Sequence, residues 1–219
     1  MHQPNLPATK GKIFFISVLS FFLFSFSIPV HQPADWVSLF DGKSLNDWKV
    51  GKNASTFSVQ DSQIVVHGPT AHIFYDGPYK NHEFKNFELK VDVMTWPGSN
   101  SGIYFHTQYQ EGGWPEKGFE VQVNNSHTDW RRSGSLYGIS DVKEVYAKDK
   151  EWYTEYIKVV DKHVTIKIND HTVVEYTQPD PIPAVQGNRV FSSGTFALQG
   201  HDPNSEVHYK NILVKVLPD

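Results

Sequence analysis

Residues 101–124, SGIYFHTQYQEGGWPEKGFEVQVN, set a carboxyl, amides, a phenol and an imidazole at alternating positions. Strand side chains point to opposite faces with period two. In residues 118–124, Phe119, Val121 and Val123 therefore share one face, and Glu120, Gln122 and Asn124 share the other. Residues 101–109 divide alike, with Ile103 and Phe105 opposite Tyr104, His106 and Gln108. In residues 194–202, Phe196 and Leu198 oppose Ala197, Gln199 and His201. Such strands bury one face and present on the other groups able to move protons and bind hydroxyls. His201 and His106 are candidate bases, because imidazole titrates near neutral pH. Glu120 is a third catalytic candidate, either fixing a histidine tautomer or acting as an acid if its surroundings raise its pKa. Tyr104, Gln122 and Gln199 are candidates to hold hydroxyls or a developing oxyanion.

The long segment 125–150 is too polar for core and too aromatic for a simple connector. Its Trp130, Arg131 and Tyr137 are candidates to wall a binding site, since loops beside a sheet commonly carry selectivity. His106, Glu120 and His201 could together coordinate a divalent ion, although no tight ligand spacing such as His-Glu-x-x-His occurs and no metal ligand is assigned. A retaining glycosidase needs two carboxyl groups about 5–5.5 Å apart. Here Glu120 is followed at the alternating positions by amides, which argues against double displacement.

These side chains need strands to position them, and period-two segments dominate the chain. Phe87, Leu89, Val91 and Val93 alternate with Glu88, Lys90, Asp92 and Met94, the pattern of a half-buried antiparallel strand. Further strands are predicted at residues 56–59, 63–67, 72–75, 153–160, 163–169, 172–176 and 206–216. Asp161-Lys162 and Asn169-Asp170-His171 read as hairpin turns, because Asn and Asp tolerate positive φ. Many short strands with little helix predict an all-β sandwich or jelly roll.

The length of 219 residues suits one domain, expected over residues 36–218. Lys10 and Lys12 precede an uncharged, Phe-rich apolar run at 13–28, the layout of an export signal over residues 1–27 followed by a short linker at 28–35. A secreted or periplasmic protein, free of the membrane after cleavage, is the expectation. The absence of cysteine excludes disulfides and thiolate ligands. A net charge of −4, more negative still without Lys10 and Lys12, argues against a nucleic-acid partner. The aromatic content of 14%, with six Trp and ten Tyr, instead suits an oligosaccharide or glycoside, whose C–H faces stack on rings. The oligomeric state is left open.

Six blocks then carry a resemblance in sequence order: Leu39-Phe40-Asp41-Gly42-Lys43-Ser44-Leu45-Asn46-Asp47-Trp48, Ser101-Gly102-Ile103-Tyr104-Phe105, Gly118-Phe119-Glu120-Val121-Gln122-Val123, Gly134-Ser135-Leu136-Tyr137-Gly138, Leu198-Gln199-Gly200-His201 and Tyr209-Lys210-Asn211-Ile212. Together they resemble the 3-keto-disaccharide hydrolase family, described as 3-keto-glucoside 1,2-lyases and 3-keto-2-hydroxy-glucal hydratases. The resemblance implies a concanavalin- or laminin-G-like jelly roll of two antiparallel sheets, with a ligand on the concave face and Glu120, Gln122 and His201 at the site. Many members carry Arg where this chain has His106, so that Arg's role is not carried over. The implied activity is elimination from a 3-keto-glycoside followed by rehydration. A non-catalytic, lectin-like carbohydrate-binding domain is the alternative, since one fold serves both.

Overall fold

The computed structural model describes Met1 and residues 35–219. The expected signal, Met1 apart, and the linker up to residue 34 lie outside the described residues. Among these there are thirteen strands: β1 Val37–Ser38, β2 Trp48–Val50, β3 Phe57–Gln60, β4 Gln63–His67, β5 Ala71–Tyr75, β6 Phe87–Thr95, β7 Ser101–Thr107, β8 Phe119–Val123, β9 Tyr153–Val160, β10 His163–Ile168, β11 His171–Thr177, β12 Thr195–Gly200 and β13 Glu206–Val216. They form two antiparallel sheets. The larger runs β11-β10-β9-β6-β13-β4-β3 with β1 beside β13, and the smaller runs β2-β5-β12-β7-β8. This is the all-β sandwich that the alternation and the family likeness imply. Among the described residues no helix is long and apolar enough to cross a membrane.

The alternation in β6 emerges as strict burial of every second residue from Phe87 to Thr95. Its apolar face meets Ile157, Val159, Ile166 and Val214 of the larger sheet and Ile103, Phe105, Phe119, Val121 and Leu198 of the smaller, in one continuous core. Phe105 stacks on Phe119 at 5.1 Å between ring centres, and Phe87 meets Phe196 edge-on at 4.9 Å. Truncating any of these phenylalanines to Ala removes a fully buried ring and costs about 3–5 kcal/mol. Phe74, Tyr104 and Ala197 form a separate small cluster on the opposite face of the smaller sheet. That outer face carries the functional side chains.

Several of the six blocks are folding devices. Asp41 accepts hydrogen bonds from the backbone N–H of Lys43 (2.7 Å) and Ser44 (2.8 Å), with Gly42 at φ 73°, so this block is a tight turn whose Trp48 donates its indole N–H to Leu39 O. Ser101 and Tyr209 hydroxyls meet at 2.7 Å inside the core, tying the two sheets together. Asn211, at φ 49°, sits in a register shift of β13 between Lys210 and Leu213. Asp161 and Asn169 take positive φ in the two hairpins expected of them.

Candidate active site

Register lines the smaller sheet's polar residues up across three strands. In the β7–β8 ladder Tyr104 lies opposite Glu120, and in the β12–β7 ladder Tyr104 lies opposite Ala197, two residues from Gln199. The Tyr104 hydroxyl donates to Glu120 Oε2 at 2.7 Å. The Gln199 amide donates to Glu120 Oε1 at 3.0 Å and to the Tyr104 oxygen at 3.1 Å. Gly102 makes room for the acid: a Cβ there would stand 2.5 Å from Glu120 Oε1. Residues 134–137 fold back along the free edge of β8, with Gly134 N–H on Gln122 O and Tyr137 N–H on Glu120 O, and so bring Tyr137 to the same face.

The resulting pocket, about 330 Å³ in volume, is lined by Asn100, Tyr104, Trp114, Pro115, Gly118, Glu120, Gln122, Asp129, Tyr137, Arg189, Gln199 and His201. That size lies within the range of small-molecule sites, roughly 300–1,000 Å³. Glu120 and His201 therefore converge in one hollow. Glu120 is partly exposed to the pocket but otherwise surrounded by protein. Burial pushes its carboxyl up to about 7, against the Tyr104 and Gln199 hydrogen bonds and the nearby His201, which favour the ionised form. Burial raises the Tyr104 phenol well above its ordinary value, and the Glu120 charge adds to this, so Tyr104 stays a donor.

His201 follows β12 directly, and its Nδ1 faces Asp202 Oδ2 at 2.8 Å. Asp202 is itself fixed by the Ser205 hydroxyl and the Asn204 N–H, both at 2.8 Å. An ionised Asp202 accepts the Nδ1 proton and leaves the Nε2 lone pair as a base. Asp202, rather than Glu120, thus sets the histidine tautomer, and Glu120 remains available as the acid.

A second chain of bonds orients the amides. The Asp129 N–H donates to His127 Nδ1 at 3.0 Å, and the Asn100 amide nitrogen faces the same atom at 3.3 Å. Asn100 Oδ1 then accepts from Gln122 Nε2 at 2.6 Å, which turns Gln122 Oε1 away from the chain. Gln122 Oε1 and Gln199 Oε1 are both buried without a partner. Each residue is only 1% exposed, and both line the pocket. Two orphan acceptors on residues of the pocket lining leave hydrogen-bonding capacity unspent, since an unpaired buried oxygen costs about 1–3 kcal/mol. Half-exposed Trp114 stands edge-on to His72 and tilted against His201, giving the pocket a flat aromatic wall.

The three catalytic candidates do not all meet. His106 sits at φ 53°, beside a register shift between β7 and β12, and this backbone turn carries its ring to the core side. It is 0% exposed, bonds Lys85 O through Nε2 at 2.9 Å, accepts the Ser192 N–H at 3.3 Å, and packs on Phe87, Phe105 and Phe191. Burial lowers its pKa to about 4, so it is a neutral core histidine rather than a pocket base. Trp130 points away, 45% exposed under the guanidinium of Arg131. Arg131 is held by Asp141 (3.1 Å) and Asp129 (3.4 Å) over the Tyr137 ring, and supports the wall without lining it. Tyr104, Gln122, Gln199 and Tyr137 do line the pocket. Asn100, Trp114, Asp129 and Arg189 come from connecting segments that period-two reasoning cannot read, though Trp114 directly after Gly112-Gly113 was a visible signal.

The metal set His106, Glu120 and His201 does not assemble, because His106 is on the other side of the sheet. Ligand atoms of His127, His201 and Asp202 lie within 4.8 Å of one another. His127 fits an ion poorly: the Asp129 N–H holds its Nδ1 as an acceptor, which leaves the proton on Nε2, whereas a metal-bound histidine donates from its other nitrogen.

With this geometry in view, the profile of the 3-keto-alpha-glucoside-1,2-lyase-like domain matches residues 35–215. A 3-keto-disaccharide hydrolase of Bacteroides thetaiotaomicron is 30% identical over 181 residues, covering 69% of this chain and 61% of that protein. The chain thus spans somewhat less than two thirds of that curated relative's length. A crystal structure from Parabacteroides distasonis, named as a candidate glycosyl hydrolase, superposes with a TM-score of 0.71 at 22% identity over 84% of this chain and 94% of that one. A Bacillus subtilis carbohydrate-binding module reaches a TM-score of 0.55 at 14% identity, covering 77% and 95%. At these identities the two structures share the jelly-roll fold with this chain and establish nothing more.

Proposed function

The chain belongs to the 3-keto-alpha-glucoside-1,2-lyase-like family, and from that premise we propose that it cleaves 3-keto-glycosides by elimination, with His201 as the base and Glu120 as the acid. A ketone at C3 acidifies the proton on C2. His201 Nε2, its ring steadied by Asp202, takes that proton, and the electron pair forms an enolate at C2–C3. Collapse of the enolate forms the C1–C2 double bond and expels the C1 oxygen, which receives its proton from Glu120. The now-ionised Glu120 can next deprotonate a water that adds to C1, while the imidazolium, its proton exchanged with water once the leaving group has gone, returns a proton to C2. Net hydrolysis results without an oxocarbenium ion. Gln122 and Gln199 accept hydroxyl protons of the sugar, and Tyr104 donates toward developing oxyanion charge.

The observation that carries this reading is the convergence of one raised-pKa carboxyl and one carboxylate-steadied imidazole on a single pocket lined by the amides of Gln122 and Gln199. The pocket's second carboxyl, Asp129, is tied to Arg131, which leaves Glu120 without a free carboxylate partner and favours elimination over double displacement. The test is turnover of 3-keto-glucosides beside their unoxidised parents. Release of sugar from the former alone is expected, and Glu120→Gln and His201→Ala should each lower kcat by about 10²–10⁴-fold, the contribution of a positioned acid or base. Binding of keto-sugars without turnover supports the lectin-like alternative instead.

A further inference from the structure

Arg189 lies on the segment joining β11 to β12, and it is the pocket's one Lys or Arg side chain among the described residues. Its guanidinium donates from Nε to Gln186 O (3.0 Å), from Nη1 to Tyr137 O (2.6 Å) and from Nη2 to Val185 O (3.2 Å). All three acceptors are neutral carbonyls. Among the described residues no carboxylate lies within ion-pair distance of it. A guanidinium has five N–H donors, so two are left over together with the full charge.

The segment holding it is itself braced. Buried Gln178 donates to Gln186 Oε1 (2.8 Å) and to Arg189 O (2.9 Å) and accepts the Phe191 N–H (3.2 Å), while Gln186 donates to the Tyr176 hydroxyl. The positive charge is thus fixed in place before any ligand arrives. The pocket's acids do not cancel it: Asp129 is tied to Arg131 at 3.4 Å, and the Glu120 carboxyl is pushed toward its neutral form by burial.

We propose that Arg189 is an anion subsite, selecting glycosides that carry a carboxylate on the part of the substrate reaching the Tyr137 end of the pocket. Arg is suited to this role because its planar fork matches a carboxylate and its charge is permanent. The proposal rests on reading the pocket as a glycoside site and adds a substrate class to it.

The test compares two 3-keto-glucosides whose aglycones differ only in bearing a 4-carboxyphenyl or a 4-carbamoylphenyl group. At low ionic strength kcat/KM should favour the carboxylate by about tenfold, the advantage should shrink with added salt, and Arg189→Gln should bring the ratio close to one. The wild-type ratio and its salt dependence decide the matter even if the variant does not fold. Equal handling of the pair, preference for the amide, or retention of the preference in Arg189→Gln overturns the subsite while leaving elimination intact. If neither keto-glucoside is turned over, elimination fails separately. Calorimetric binding of the same pair then decides for the subsite by the same ratio, and absence of binding by both compounds counts against it.

Discussion

Glu120 is held between opposing influences, and its protonation should be visible in the pH profile. Burial raises its pKa to about 7, while the Tyr104 hydroxyl and the Gln199 amide stabilise the charged form. As the acid it must hold its proton, so kcat should fall as pH rises through about 7. Tyr104→Phe deletes a bond to the ionised form and should move that fall to higher pH; a shift to lower pH in the measured profile contradicts the assignment. Glu120, Tyr104, Gln122, Gln199 and His201 were all legible in the sequence because they keep strict two-residue parity on three strands. His106 shares the parity of Tyr104, yet a single positive φ reverses its side. Nothing in its neighbours' identities announces that turn. His127 and Asp202 lie outside the strands and are tied by short-range bonds to Asp129 and to His201, Asn204 and Ser205, which alternation does not encode.

At the level of elements, the space for the acid comes from β7. Gly102 lies opposite Gln122 in the ladder, and the three atoms nearest an added Cβ all belong to the Glu120 side chain. Gly102→Ala should therefore displace the carboxylate without disturbing the strand. The expected outcome is at least about a tenfold loss of kcat, because small misplacements of a catalytic group are costly, with a melting temperature close to wild type. Unchanged kcat would show that the carboxylate position is not critical. Strand positions were readable to within a residue or two wherever the alternation ran four residues or longer. β1 and β2, of two and three residues, are too short to show a period and exist through pairing with β13 and β5. The segments carrying Trp114 and Arg189 owe their shape to local side-chain bonds, such as Gln110 to the carbonyls of Gly112 and Trp114, that no periodic rule anticipates.

For the whole molecule, one group in the core sets a pH dependence of stability. Glu155 shares the inward face of β9 with Tyr153, Ile157 and Val159, is 0% exposed, and neither carboxyl oxygen has a partner. The phenols nearest in charge terms, Tyr153 and Tyr209, already bond Ser133 and Ser101. Burial raises the Glu155 pKa well above 4.5, so the folded chain keeps this proton after the unfolded chain has released it. Its contribution to stability is complete below the unfolded value and declines as pH rises. Glu155→Leu should flatten that decline and add about 1–3 kcal/mol at pH 8, read by denaturant unfolding; a loss of stability there contradicts the reading. The two-sheet sandwich was legible from alternation and composition, whereas this buried carboxyl shows only when the sheets are stacked. The proposed function turns on one step in the pocket, the breaking of a C2–H bond. Turnover of a 3-keto-glucoside in deuterated water, with the product read by NMR, tests it most directly. Deuterium at C2 of the released keto-sugar is predicted, and full retention of the original C2 proton would contradict elimination.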